Sequence, residues 1–315
     1  MSRIVLSSPA KLNLFLKVQN KRPDGYHNIV TVFERIDLSD EIDFRTTIKQ
    51  NICIQCDHPD VPLGPRNLIY KAARLLQEEF KTNQGAEVKI KKRIPVAAGL
   101  AGGSSNAATA LLGLNHIWKL NLSRTELLPF ARKIGSDVAF FLHDTSFGLG
   151  RGRGDDIKPL NIKTNLWHIL VVPRIKMYSW KVYGGLKMRL RPSSLPSESD
   201  FSRQALGSSP GRKGESTNVL TKIIDNANIL IHNLKKGNIL EVGRSLDNDL
   251  ESEIIRLLPS LVKLKKRLKS LNVKGVMISG SGPSVFGLTL TRNEAELMRP
   301  VLLKRFSQVF VVKTL

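Results

Sequence analysis

The chain has few cysteines, few aromatic residues, a shortage of acid and no unbroken apolar run of membrane length. Its two cysteines, Cys53 and Cys56, have C-x-x-C spacing. A thiol-redox pair needs a helix start after a strand, whereas Asn51–Asp57 alternates like a strand and puts the two thiols on opposite faces. Zinc takes four ligands and only His58 is nearby. The cysteines are therefore structural or incidental, consistent with a reducing compartment. Aromatic residues make up 6% of the chain. None falls inside the basic clusters 89–93, 187–191 and 263–269, where a nucleic-acid-binding protein would interleave them. Residues 94–118 carry no Asp, Glu, Lys or Arg. Pro95, paired glycines and Ser104-Ser105-Asn106 interrupt that run, so it is expected to form a ligand loop and a core helix rather than a membrane span. The first residues lack the apolar core of a signal peptide, and the expected address is cytoplasmic.

The acid shortage leaves 49 Lys+Arg against 27 Asp+Glu, a net charge of +22. Such a field favours anionic partners: nucleic acid, acidic membrane or a polyphosphate ligand. The plain reading of the basic clusters is solvated helix and strand faces. A hydrophobic fraction of 41% supports buried cores, and 315 residues suggest about two domains. The boundary is placed near residue 162, giving domains 1–162 and 163–315. The first third predicts short strands, 4–6 and 12–18, with Ser7-Ser8-Pro9 as punctuation between them. Arg22-Pro-Asp-Gly25 predicts a turn. A helix is expected over 67–80, a strand over 87–91, and a helix from the capping box Ser123-Arg-Thr-Glu126 to Lys133. Gly148–Gly154 is expected to be a flexible basic turn. Trp167–Pro173 predicts a buried strand, 191–216 a surface loop or disordered insert, and 218–234 and 251–271 helices, the second broken by Pro259. Strands on either side of a glycine turn are expected over 276–287, and a last strand over 309–313.

The most informative stretch is Pro95-Val-Ala-Ala-Gly99-Leu100-Ala101-Gly102-Gly103-Ser104-Ser105-Asn106. It joins a predicted strand to a predicted helix. Glycine lets a backbone approach a ligand closely, and the start of a helix offers free N–H groups and the positive dipole end to an anion. No Lys follows the glycines, which excludes the G-x-x-x-x-G-K-[ST] loop. Two further segments accompany it: Pro9-Ala-Lys11-Leu-Asn13-Leu with Arg22-Pro-Asp-Gly-Tyr26-His27, and Gly280-Ser-Gly-Pro-Ser284.

In this order and spacing the three segments resemble the motifs of the GHMP kinases. With Ile134-Gly-Ser-Asp137-Val and Gly152-Arg-Gly154, they are most similar to the branch that phosphorylates the 2-hydroxyl of a cytidine diphosphate ester of methylerythritol in the non-mevalonate route to isoprenoid precursors. The resemblance implies a two-domain α+β fold, with a ribosomal protein S5 domain 2-like N-terminal domain, a ferredoxin-like C-terminal domain and a cleft between them. It implies ATP bound by Pro95, Gly99, Leu100, Ala101, Gly102, Gly103, Ser104 and Ser105, with Asn67 and Leu68 flanking adenine. Asp137 would serve as general base and Lys11 as charge stabiliser. Asn13, Tyr26, His27, Asp137, Ser179 and Tyr183 would hold the acceptor, with Tyr178 and Trp180 competing with Tyr183 to close the cytosine sandwich. Ser104 or Ser105 would help place Mg²⁺. Ala101 stands where many relatives have Gly, and Asp155 where they often have Glu. The alternatives are a GHMP kinase for homoserine or mevalonate, which offer no base to stack on Tyr26, and a basic nucleic-acid-binding protein.

Overall fold

The computed structural model describes residues 2–186 and 214–315. Two long strands, β1 (Arg3–Lys21) and β2 (His27–Thr47), form the spine. They pair antiparallel across the turn at Arg22–Tyr26, where the Arg22 amide donates to the Tyr26 carbonyl at 2.7 Å and Gly25 takes φ +85. The two predicted short strands are thus one element. Ser7-Ser8-Pro9 does not interrupt it; the ladder absorbs the irregularity as a register shift between Pro9 and Ala10. Proline has no N–H for a ladder, and a bulge accommodates that.

Around this hairpin, β3 (Ile52–Cys56) and β4 (Gly85–Lys91) extend one side. β5 (Phe147–Arg151) pairs with β2 and with β6 (Asp156–Leu160). The expected flexible turn 148–154 is therefore shorter. Gly148 and Gly150 lie in a strand because Phe140 and Phe33 pack over them: a Cβ at Gly148 would stand 3.1 Å from the Phe140 ring, and one at Gly150 2.9 Å from that of Phe33. Helices α1 (Leu68–Phe80), α2 (Gly102–Ile117), α3 (Arg124–Ile134) and α4 (Val138–Leu142) follow in sequence. Asn67 caps α1, and the predicted capping box opens α3. α2 is rich in small residues and buries ten of its sixteen, Ser105, Asn106 and Thr109 among them, as a helix covered on several sides does. A Cβ at Gly113 would come within 2.6 Å of Phe44, so this glycine lets helix and sheet approach closely.

The second sheet has β11 (Val309–Lys313), β7 (Trp167–Val171), β10 (Val285–Thr289) and β9 (Gly275–Ile278) in that order, all antiparallel. In chain order this is fourth-first-third-second, the ferredoxin-like arrangement. Its first crossover contains α5 (Ser179–Gly185), α6 (Gly214–Lys236), α7 (Ile239–Arg244), α8 (Glu251–Leu257) and α9 (Ser260–Lys269). α10 (Arg292–Leu303) makes the second crossover. Pro259 separates α8 from α9, as expected. The expected insert 191–216 lies outside the described residues up to 213, and 214–216 begin α6; the basic cluster 187–191 is likewise outside them.

The halves share buried material. β8 (Asp247–Asn248) adds to β1 beside Phe15 and Leu16. Leu12, Val32 and Ile36 from the hairpin pack in one cluster with Leu170, Phe286 and Leu288 of the second sheet. Buried Glu34 of β2 meets His168 Nε2 of β7 at 2.8 Å and accepts from the Thr314 hydroxyl at 2.6 Å.

Candidate active site

A cleft of about 980 Å³ opens between the halves. Every residue expected at the site lines it except Ser105. Ser105 is fully buried, and its hydroxyl shares a 2.8 Å hydrogen bond with Ser8. Of the two serines weighed for Mg²⁺, Ser104 is the one that lines the cleft.

The glycine loop is fixed from behind. Its carbonyls turn to other segments: Ala97 accepts from the Met177 amide, Ala98 from that of Ser284, Gly99 from the Ser279 hydroxyl and Leu100 from the Lys11 amide, at 3.1–3.3 Å. Gly99 takes φ +77, and a Cβ there would lie 2.3 Å from the Ser279 carbonyl oxygen. Ala101, the expected departure, also takes positive φ (+55) and is the N-cap of α2. It has no side chain with which to cap, so the first N–H groups of α2 stay free at the cleft. Below the loop, fully buried Asp40 accepts from the Arg93 and Ile94 amides and Asn106 Nδ2, each at 2.8 Å, and from Lys92 Nζ at 2.5 Å. One carboxylate thereby ties the entry of the loop to its exit. The Lys92 side chain is only 4% exposed. Burial depresses its pKa, and Asp40 opposes that.

Lys11 and Asp137 meet at 3.7 Å where the loop ends. Lys11 is buried, which pushes its pKa down, and the Asp137 charge opposes the shift. Asp137 is the N-cap residue of α4 but makes no side-chain cap hydrogen bond, so capping does not occupy its carboxylate. Lys11 Nζ donates to Asn13 Oδ1, Asn13 Nδ2 donates to Thr31 Oγ1 at 2.8 Å, and Thr31 donates to the Phe15 carbonyl at 2.7 Å. Asn13 thus spends both ends of its amide holding Lys11 in place.

The far wall is aromatic. Tyr26 is 48% exposed, and the Arg153 guanidinium lies over its ring at 5.0 Å. Asp155 holds Arg153 at 2.5 Å, which gives that acid a partner. Of the competing aromatics, Tyr183 stacks on His27 with ring centroids 5.5 Å apart, while Trp180 is 71% exposed. Ser179 shares a 2.8 Å hydrogen bond with Ser281 of the third glycine motif. Burial, and the nearby charge of Asp137, raise the Tyr183 pKa above the usual phenol range; burial and Lys21 lower that of His27. At the opposite end, Asn67 caps α1 through its carbonyl and donates to the Pro62 carbonyl at 2.6 Å.

Sequence reasoning missed Asp40 and Lys92, and quoted Arg153 only within the Gly152-Arg-Gly154 motif, without a role. Lys92 sits in the basic run 89–93, whose plain reading is a solvated face. A signal was present: β4 alternates Lys89 and Lys91 outward, and the strand ends before Lys92. Asp40 carried none, since its partners lie more than 50 residues away.

Two family profiles match the chain: "GHMP kinases N terminal domain" over residues 67–145 and "GHMP kinases C terminal" over 230–308. The 4-diphosphocytidyl-2-C-methyl-D-erythritol kinase of Alkaliphilus oremlandii is 36% identical over 100% of this chain and 97% of its own length. A crystal structure of 4-(cytidine 5'-diphospho)-2C-methyl-D-erythritol kinase superposes with TM-score 0.74 at 27% identity, covering 98% of both chains. A homoserine kinase from Cytophaga hutchinsonii shares the fold at TM-score 0.69 and 20% identity, covering 99% of this chain and 94% of its own. No helix among the described residues is long and apolar enough to cross a membrane. Similarity along the whole chain, with the motifs in one cleft, makes this small-molecule kinase a member of the GHMP kinases and, within them, of the 4-diphosphocytidyl-2-C-methyl-D-erythritol kinase family.

Proposed function

We propose that the chain transfers the γ-phosphoryl group of ATP to the 2-hydroxyl of 4-diphosphocytidyl-2-C-methyl-D-erythritol, within the non-mevalonate isoprenoid pathway. The observation that carries this reading is the Lys11–Asp137 pair at 3.7 Å, set between the glycine loop and the aromatic wall. The free N–H groups at the start of α2 suit a triphosphate. Tyr26, with His27 and Tyr183, suits a flat base.

Phosphoryl transfer asks a protein chiefly to position the reactants and neutralise charge. The acceptor oxygen bonds to the γ-phosphorus as the bond to the β–γ bridging oxygen breaks, and ADP leaves. Asp137 orients the hydroxyl and takes its proton. Lys11 sets its charge against the phosphoryl oxygens, the task a Walker lysine would perform. Asn67 and Leu68 flank the adenine end. Ser104, which lines the cleft beside the glycine loop, would offer its hydroxyl to Mg²⁺. When bound, Mg²⁺ supplies charge neutralisation on the phosphate oxygens.

The test is ADP release with diphosphocytidyl-methylerythritol, homoserine and mevalonate as acceptors. The first alone should support turnover. Asp137→Ala should lower kcat by about 100-fold or more while ATP still binds, the range expected for loss of a general base. Near-normal turnover in that variant would remove Asp137 from the chemistry. ADP release with homoserine or mevalonate alone would replace the acceptor.

A further inference from the structure

Lys11 pairs across the hairpin with Arg35, and Asn13 with Phe33. Cross-strand partners and residues two apart share one face of a sheet, so two cations stand side by side on the face that α4 covers. All five residues of α4 are buried. At its start, Asp137 reaches Lys11. At its end, Arg35 Nη2 donates to the carbonyls of Phe140 and Phe141 at 3.4 Å and of His143 at 2.6 Å, and Arg124 Nη1 donates to that of Leu142 at 2.8 Å. The last carbonyls of a helix lack the usual partner one turn on; here two guanidiniums meet four in succession, that of Phe140 also accepting from the His143 amide at 3.3 Å. The rings join the same construction. Phe33 and Phe140 stack at 4.9 Å, Lys11 Nζ lies 5.5 Å over Phe33, and Arg35 Cζ lies 5.6 Å over Phe140. A helix of five residues does not hold itself, so core packing and the groups at its ends together determine where Asp137 stands.

We propose that Arg35 is a positioning residue for phosphoryl transfer: by capping the end of α4 and holding Phe140 against Phe33, it fixes Asp137 relative to Lys11. This rests on Asp137 acting on the acceptor hydroxyl. Burial depresses the Arg35 pKa to about 10, an indication of how far the group is desolvated at that helix end.

The test measures kcat, both KM values and thermal unfolding for Arg35→Met, which keeps the stem and loses the donors, and for Arg35→Lys. Arg35→Met should lower kcat on the order of 100-fold, the cost of small misplacement in a positioned site. Both KM values should stay within about two-fold, since ground-state binding is untouched. Arg35→Lys should recover part of the loss. In an Asp137→Asn background, Arg35→Met should cost nothing further. Should Arg35→Met fail to fold, Arg124→Met removes a single carbonyl contact and should lower kcat several-fold with unchanged KM values. A folded Arg35→Met with normal kcat, a rise in KM alone, or an equal loss in both backgrounds would overturn the proposal. Near-normal kcat in Asp137→Asn alone would overturn the base assignment instead.

Discussion

The glycine loop and the aromatic wall line the same cleft, yet one is backed by polar groups that are fully or almost fully buried and the other by groups that stay partly exposed. Behind the loop stand Asp40 and Ser105, both fully buried, with Lys92 and Asn106 almost so. The wall rests on a hairpin turn, on Arg153 against Tyr26 and on a short helix bearing Tyr183. A triphosphate cradle needs backbone groups fixed before binding, because preorganised dipoles cost no rearrangement. Recognition of a base needs only exposed flat faces.

The comparison breaks first, and most severely, at Asp40. Asp40→Asn leaves the buried Lys92 cation without its counter-charge, and removing one partner of a buried pair costs about 3–5 kcal/mol. Chemical denaturation should show this loss, and the ATP KM should rise with it. An unchanged unfolding midpoint would mean that the clamp is idle. Tyr26→Ala should act on the other side alone. Losing one stacking face costs about 1–3 kcal/mol, read as a higher acceptor KM, with ATP KM and unfolding midpoint unmoved; an equal rise in both KM values would dissolve the distinction between cradle and wall. The smallest effect is expected from Ala101→Gly. Relief of a left-handed alanine, worth about 1–2 kcal/mol, is opposed by the entropy of a freer unfolded chain, about 0.4–1 kcal/mol. Stability should rise by about 1.6 kcal/mol at most; a fall would mean that the Ala101 methyl packs usefully against the core cluster it borders.

Much of this was legible because it is local. The loop 95–104 announces itself through glycines between a strand and a helix, the α3 cap through Ser123 and Glu126, and the α8–α9 break through Pro259. These signals depend on neighbours a few residues away. Where the reading failed, the cause was distant. Ser7–Pro9 looks like a turn, but β2 pairs with it and keeps it in the strand. Gly148 and Gly150 look flexible, but Phe140 and Phe33 require them to be small.

Short stretches of the chain carry the family, the glycine loop and the residues gathered around it, since backbone freedom, caps and motif order are written locally. Tertiary structure alone decided which serine faces the cleft, that Lys92 is buried, and that Arg35 closes the helix beginning at Asp137. Those outcomes depend on which remote segments exclude water from a charge and which partners remain to satisfy it. Burial and pairing are properties of packed elements, and no stretch of the chain carries them alone.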